Sequence, residues 1–167
     1  VRKEEEDRVP RADANLGAAG FRRHAVIERV RWSDVDISGV ICWSAYVRFI
    51  EIGETELFRA IGYPYSTLWD ALDLWLPRVQ VHFEFRNPVR IDDALTVESW
   101  VGSVGRTSIR LEFAIRRPDG EIAAEAYLVI VVLDRRLGKP KDVPEALVNA
   151  LAPYRADSVA QRADRAG

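Results

Sequence analysis

The chain has a single cysteine, Cys42, and only two histidines, His24 and His82. One thiol excludes an internal disulfide, and without a second Cys or His at ligand spacing there is no zinc motif, so neither a metal nor a redox cofactor is expected. Methionine is absent altogether and carries no functional implication. No apolar run reaches the length of a membrane-spanning helix, and the opening V-R-K-E-E-E-D-R lacks the apolar core of a secretory signal. A reducing cytoplasm is therefore the expected setting. There is no basic stripe either: 24 Lys and Arg are interspersed with 26 Asp and Glu for a net charge of −2, so nucleic acid is not an expected partner. No internal repeat is visible.

What is present is the patterning of one globular domain, in 167 residues of which 48% are hydrophobic. Residues 1–20 are charged, then small and glycine-containing, and read as a flexible N-terminal arm. Residues 154–167 read as a flexible C-terminal tail, which leaves 21–153 as the folded domain. The segment from His24 to Trp32 predicts a first strand, with Val26, Val30 and Trp32 on one face. A turn follows, carrying Asp34, Asp36, Ser38 and Gly39. From Tyr46 the period becomes helical: Tyr46, Phe49, Ile50, Gly53, Leu57 and Ile61 share a face, while Arg48, Glu51, Thr55 and Arg59 do not. Gly62 and Pro64 end that helix, and Ser66 to Asp73 predicts a short second one, capped by Ser66 and lid-like. Four alternating runs come next, at 79–86, 95–101, 109–116 and 122–133. Asn87-Pro88, Gly102 to Gly105 and Pro118-Asp119-Gly120 supply the turns. A closing helix is expected over 144–151. Strand, long helix, then four strands joined by short turns is an α+β pattern with antiparallel neighbours.

The joint between the first strand and the long helix is where chemistry is expected. A helix start offers backbone N–H groups without intrahelical partners and a partial positive charge, which suit a developing oxyanion. If Val40 to Ala45 begins to coil, the amides near Trp43 face whatever lies over the turn. Asp36 is then a carboxylate a few residues upstream of an oxyanion site, an arrangement suited to acyl transfer or hydrolysis.

In its order of Asp36, Gly39, Val40 and Tyr46, the chain resembles the hot-dog-fold thioesterases of the 4-hydroxybenzoyl-CoA thioesterase family, with their D-x-x-G-[VI]-V-x-x-x-x-Y pattern. R-N-P-V-R-I-D-D-A-L-T-V from Arg86 and V-G-R-T-S-I from Val104 extend the resemblance over roughly residues 24–133. The resemblance implies a hot-dog fold, a strongly bent antiparallel five-stranded sheet wrapped around one long central helix. It also implies a homo-oligomer, dimer or tetramer. Asp36 would be nucleophile or general base, the Trp43 backbone N–H the oxyanion donor, and an acyl-CoA or acyl-carrier-protein thioester the substrate. The chain departs from the pattern at Trp43 and Ala45, where many members carry His or Tyr and Asn.

The remaining candidates divide by their chemistry. Val40, Tyr46 and Trp69 are expected to line the substrate site, and Trp43, Tyr63, Tyr65 and Trp75 would suit a bulky or aromatic acyl group. Arg106, and with less weight Arg90, could meet the phosphates of CoA or phosphopantetheine. Asp34 reads as a solvated turn residue. Glu51 and Glu54 read as a solvated helix face, although a second branch of hot-dog enzymes uses a helix-borne Glu. Rival readings are a carrier-protein-specific thioesterase, a non-catalytic acyl-thioester or lipid binder and, with only His24 and His82 to serve it, a hydratase.

Overall fold

The computed structural model describes residues 20–157. The strands are β1 (His24–Arg29), β3 (Arg78–Phe85), β4 (Ala94–Val104), β5 (Ser108–Arg116) and β6 (Ile122–Val131), in the spatial order β1-β4-β5-β6-β3 with every pair antiparallel. Short turns set β4, β5 and β6 side by side as expected, but β3 pairs with β6 across the sheet rather than with its sequence neighbour β4, because the 86–93 connection crosses over instead of turning back. Two short strands, β2 (Leu74–Trp75) and β7 (Leu133–Asp134), pair separately. The expected arm lies almost wholly outside the described residues, as do tail residues 158–167. The described start of the tail is docked: Tyr154 is buried and the Ala156 N–H donates to the Val101 carbonyl at 2.9 Å.

The long helix α1 (Tyr46–Ala60) packs on the sheet with Tyr46, Phe49, Ile50, Gly53 and Leu57 buried, the face that the helical period predicts. Glu54 and Phe58 are buried as well, which the period did not foretell. Gly53 is where helix and sheet come closest. A Cβ there would lie 2.9 Å from Val97 Cγ1 and 3.4 Å from the Phe113 ring, and its carbonyl accepts from the buried Ser99 hydroxyl at 3.1 Å. Leu95, Val97 and Val101 of β4, and Ile109, Leu111, Phe113 and Ile115 of β5, complete the core from the same sheet face. One long helix enclosed by an antiparallel five-stranded sheet is the hot-dog fold.

Past the end of α1 the chain turns away at Gly62, whose φ of +86° suits glycine, with the Tyr63 N–H closing back on the Phe58 carbonyl at 2.9 Å. Helix α2 (Tyr65–Leu72) starts one residue before Ser66, with Pro64 at the N-cap position and no side-chain cap bond, and α3 (Glu145–Leu151) closes the domain. Two further elements differ from expectation. The first strand stops at Arg29, and Trp32 sits in a 3-10 turn (Trp32–Asp34) with its side chain exposed, because Asp34 turns back to accept the Arg31 N–H at 2.8 Å. The apolar face of β3 is largely uncovered: β3 is an edge strand, and Val79, Val81 and Phe85 are exposed.

Candidate active site

Between β1 and α1 the chain makes a tight hairpin. Val35 bridges Ile41, the Asp36 N–H donates to the Val40 carbonyl at 3.0 Å, and the Cys42 N–H donates to the Asp34 carbonyl at 2.7 Å. Its tip is a turn in which the Gly39 N–H reaches the Asp36 carbonyl at 2.9 Å, and Gly39 has a φ of +74°, which a side chain would strain. The hairpin is held sideways against the segment between β3 and β4: Val40 bridges Arg90, and the Ile41 N–H donates to the Val89 carbonyl at 2.9 Å.

Asp36 lies at the tip of this hairpin and is exposed. One carboxylate oxygen, Oδ1, accepts both the Ser38 N–H at 2.8 Å and the Ser38 hydroxyl. These bonds hold its pKa below the ordinary 3.8, the hydroxyl contributing most, so Asp36 is ionised at neutral pH. Both fall on the same oxygen, so Oδ2 has no protein hydrogen bond among the described residues. A turn carboxylate and a chemically available carboxylate are thus the same group.

At the other end of the hairpin a 3-10 turn (Trp43–Ala45) leads without a break into α1. Trp43 is its first residue, so its N–H is one of those a helix start leaves without an intrahelical partner. Beside it lies an open cleft of ≈ 210 Å³, lined by Val40, Ile41, Trp43, Tyr46, Phe85, Arg86, Asn87 and Pro88. Tyr46 forms an inner wall, packed against Phe85 and Phe83 at ring separations of 5.0 and 6.3 Å, and burial pushes its phenol up to about 12, so it stays neutral. The Trp43 indole is 70% exposed and stands at the mouth. Asp36 is not among the lining residues.

Of the expected site residues, Asp36, Val40, Trp43 and Tyr46 therefore share one hairpin and helix start, while Arg106 and Trp69 lie elsewhere in the chain. Strand β4 begins opposite Arg29, and Arg106 follows its far end; eleven residues at about 3.3 Å each put the two ends roughly 30 Å apart. There Arg106 pairs with Asp142 at 2.7 Å. Trp69 stacks on Tyr65 at 5.1 Å, and Tyr65 packs on Phe58 near the opposite end of α1 from Trp43, about 20 Å away along the helix axis. Of the two arginines weighed for the phosphates, it is Arg90, given less weight from sequence, that borders the hairpin. Phe85, Arg86, Asn87 and Pro88 were missed as lining residues, although the R-N-P-V-R run that carries three of them was itself a signal.

Two carboxylates read as solvated are buried. Asp34 is 4% exposed and pairs with Arg48, whose Nε lies 3.2 Å from Oδ1 and whose Nη2 contacts Oδ2. Burial alone would raise its pKa, but the bonds from Arg48 and the Arg31 N–H outweigh it and the net direction is down. Glu54 is 2% exposed and accepts from the Tyr65 hydroxyl and the Arg78 guanidinium. Burial pushes it up while Arg78 and Tyr65 pull it back. With its oxygens engaged, Glu54 is placed to tie α1, α2 and β3 together rather than to attack a substrate. Neither histidine reaches the hairpin: His24 opens β1 opposite Ser99, and His82 stacks on Tyr127 at 5.1 Å. Among the described residues there is no group of three or more metal-ligating side chains, and no helix is long and apolar enough to cross a membrane.

The family model described as Thioesterase-like superfamily matches residues 30–151, well over half of the chain and the whole of this site. The chain belongs to the thioesterase-like superfamily. Among its relatives, the acyl-CoA thioester hydrolase YbgC of Escherichia coli O6:H1 is 28% identical over 120 residues, covering 72% of this chain and 89% of YbgC. Two solved structures share the superfamily fold. The SAV2348 protein of Staphylococcus aureus, in complex with CoA, superposes with a TM-score of 0.73 at 12% identity, over 80% of this chain and 84% of that one. The DHNA-CoA thioesterase of Staphylococcus aureus gives 0.71 at 16% identity, over 87% and 95%.

Proposed function

We propose that this protein is a hydrolase of acyl-CoA thioesters, with Asp36 as nucleophile or general base and the Trp43 N–H as oxyanion donor. The observation that carries the reading is that one hairpin of a thioesterase-superfamily chain bears, near its junction with a helix start, an ionised carboxylate with one oxygen anchored and the other available. In one route Oδ2 attacks the thioester carbon, the C–S bond breaks, the thiolate leaves and is protonated from solvent, and water then hydrolyses the mixed anhydride. In the other, Asp36 takes a proton from the water that attacks. A thiolate leaves readily, so one carboxylate and one oxyanion donor suffice without a separate acid.

The acyl group would occupy the cleft of Val40, Trp43 and Tyr46. A second copy of the chain completes the site in this reading. Ile37, Trp43 and Phe85 are exposed apolar residues around the hairpin, and Val79 and Val81 continue that surface along the free edge of β3. A partner subunit would cover Asp36 from its open side, and it would be the source of Arg106 and Trp69, which the fold keeps from this subunit's own hairpin. YbgC's name favours CoA over a carrier protein as the thiol.

The test is hydrolysis of short, long, aromatic and polyene acyl-CoA thioesters, each beside a matched acyl carrier, by wild type and Asp36→Asn. Turnover should fall well over tenfold in the variant with its melting temperature retained, since Asp36 is exposed and holds no core contact. Wild-type rates in the variant would overturn the mechanism. Tight binding without turnover by the wild type would favour the binder instead.

A further inference from the structure

The ion pair between Asp34 and Arg48 has no part in the chemistry above, yet it stands where the hairpin meets the helix. Arg48 is the third residue of α1. Besides gripping both oxygens of Asp34, its guanidinium donates to Glu28 Oε1 at 2.7 Å and to the Arg29 carbonyl at 3.3 Å, and lies 4.4 Å from the centre of the Phe49 ring. One planar fork therefore ties the end of β1, the base of the hairpin and the first turn of α1. Asp34 in turn accepts the Arg31 N–H on Oδ2, and its carbonyl accepts the Cys42 N–H, from the residue directly before Trp43.

The consequence is geometric. The strands of the hairpin leave from the Asp34–Cys42 pair, so Asp36 stands two residues out along one arm and Trp43 one residue beyond the other. The carboxylate of Asp36 has no bond to α1; its protein partner is Ser38 on the same turn. Whatever fixes the base of the hairpin against α1 thus fixes the separation between the carboxylate and the helix-start amides. Burying an ion pair is not the cheapest way to hold two elements together, since a well-packed apolar pair of similar volume is often as stable; what an arginine fork adds is a unique register.

We infer that Asp34 and Arg48 are positioning residues for the reaction, a clamp that sets the distance from the Asp36 carboxylate to the Trp43 amide. The inference rests on the roles proposed above for those two groups. Misplacement by about 1 Å is enough to cost on the order of a hundredfold in rate, so loosening the clamp should act on kcat and leave KM nearly unchanged.

Two mild variants test it: Arg48→Lys keeps the charge and loses the fork, and Asp34→Asn keeps the shape and loses the charge. Each should accelerate amide hydrogen exchange over residues 33–42 with β5 unchanged, and lower kcat at least about tenfold at a KM within about threefold of wild type. Combined with Asp36→Asn, Arg48→Lys should cause no further loss, because the clamp acts through Asp36. Unchanged exchange at 33–42 in both variants, or a loss from Arg48→Lys that multiplies with that of Asp36→Asn, would overturn the clamp. The exchange measurement decides the hairpin's tether even if no thioester is hydrolysed, and wild-type turnover in Asp36→Asn would sink the roles assigned to Asp36 without touching that tether.

Discussion

Asp36 and Asp34 stand two residues apart and have opposite environments, one at a hairpin tip in solvent and one sealed beneath an arginine. Both roles proposed for Asp36 need it ionised, so kcat/KM should fall as pH drops through its pKa, which the Ser38 donors hold below 3.8. Removing the hydroxyl in Ser38→Ala should move that acid limb upward in pH, a direction that persists however much a covering subunit raises both enzymes together. A pH–rate profile with identical limbs would count against Ser38 as the donor. Asp34, besides its expected effect on kcat, gives a stability signal that depends on pH. Its folded pKa lies below the unfolded value near 3.8, so its contribution is present above that pH and is lost as pH falls through the folded pKa. The stability gap between wild type and Asp34→Asn in urea should therefore be open at pH 7 and narrow below about pH 4.

For the elements, the decisive contact is α1 on the sheet at Gly53. Alanine there would gain about 1 kcal/mol in helix propensity, but its Cβ would press on Val97 Cγ1 at 2.9 Å, and overpacking a filled core costs about 1–3 kcal/mol. The packing cost wins, so Gly53→Ala should lower the melting temperature by several degrees. A rise would mean that β4 yields at Val97 without strain. The helix face at 46, 49, 50, 53 and 57 was legible from its period because one stripe meets the sheet. The burial of Glu54 was not, because it depends on Arg78 and Tyr65, which arrive 24 and 11 residues later. Asp34 escaped for the same reason: its partner Arg48 is 14 residues on, across the hairpin.

At the scale of the molecule, strand β3 carries the prediction about assembly. Its alternation of Val79, Val81, Phe83 and Phe85 is that of a half-buried strand, yet within one chain most of that face meets solvent. Under the proposed second copy this surface is interior, and a charge in it should separate the subunits. Val81→Asp is expected to halve the mass measured by light scattering and to abolish thioester hydrolysis together with it, because the site would lose its second wall. A monomeric wild type with full activity would remove the need for a partner.

Local pattern determined which segments are strand and helix, which face of α1 is apolar, and that a carboxylate turn precedes a helix start, since all of these follow from neighbours one to four residues apart. Asp36 and Gly39 were legible as turn residues for that reason, while the site roles expected of Asp36 and Val40 rested on the family resemblance. Only the tertiary structure decided which charges are buried in pairs, that Arg90 rather than Arg106 borders the hairpin, and that β3 ends at an uncovered edge. These depend on which distant residues the sheet order brings together, and side-chain period carries no record of that order.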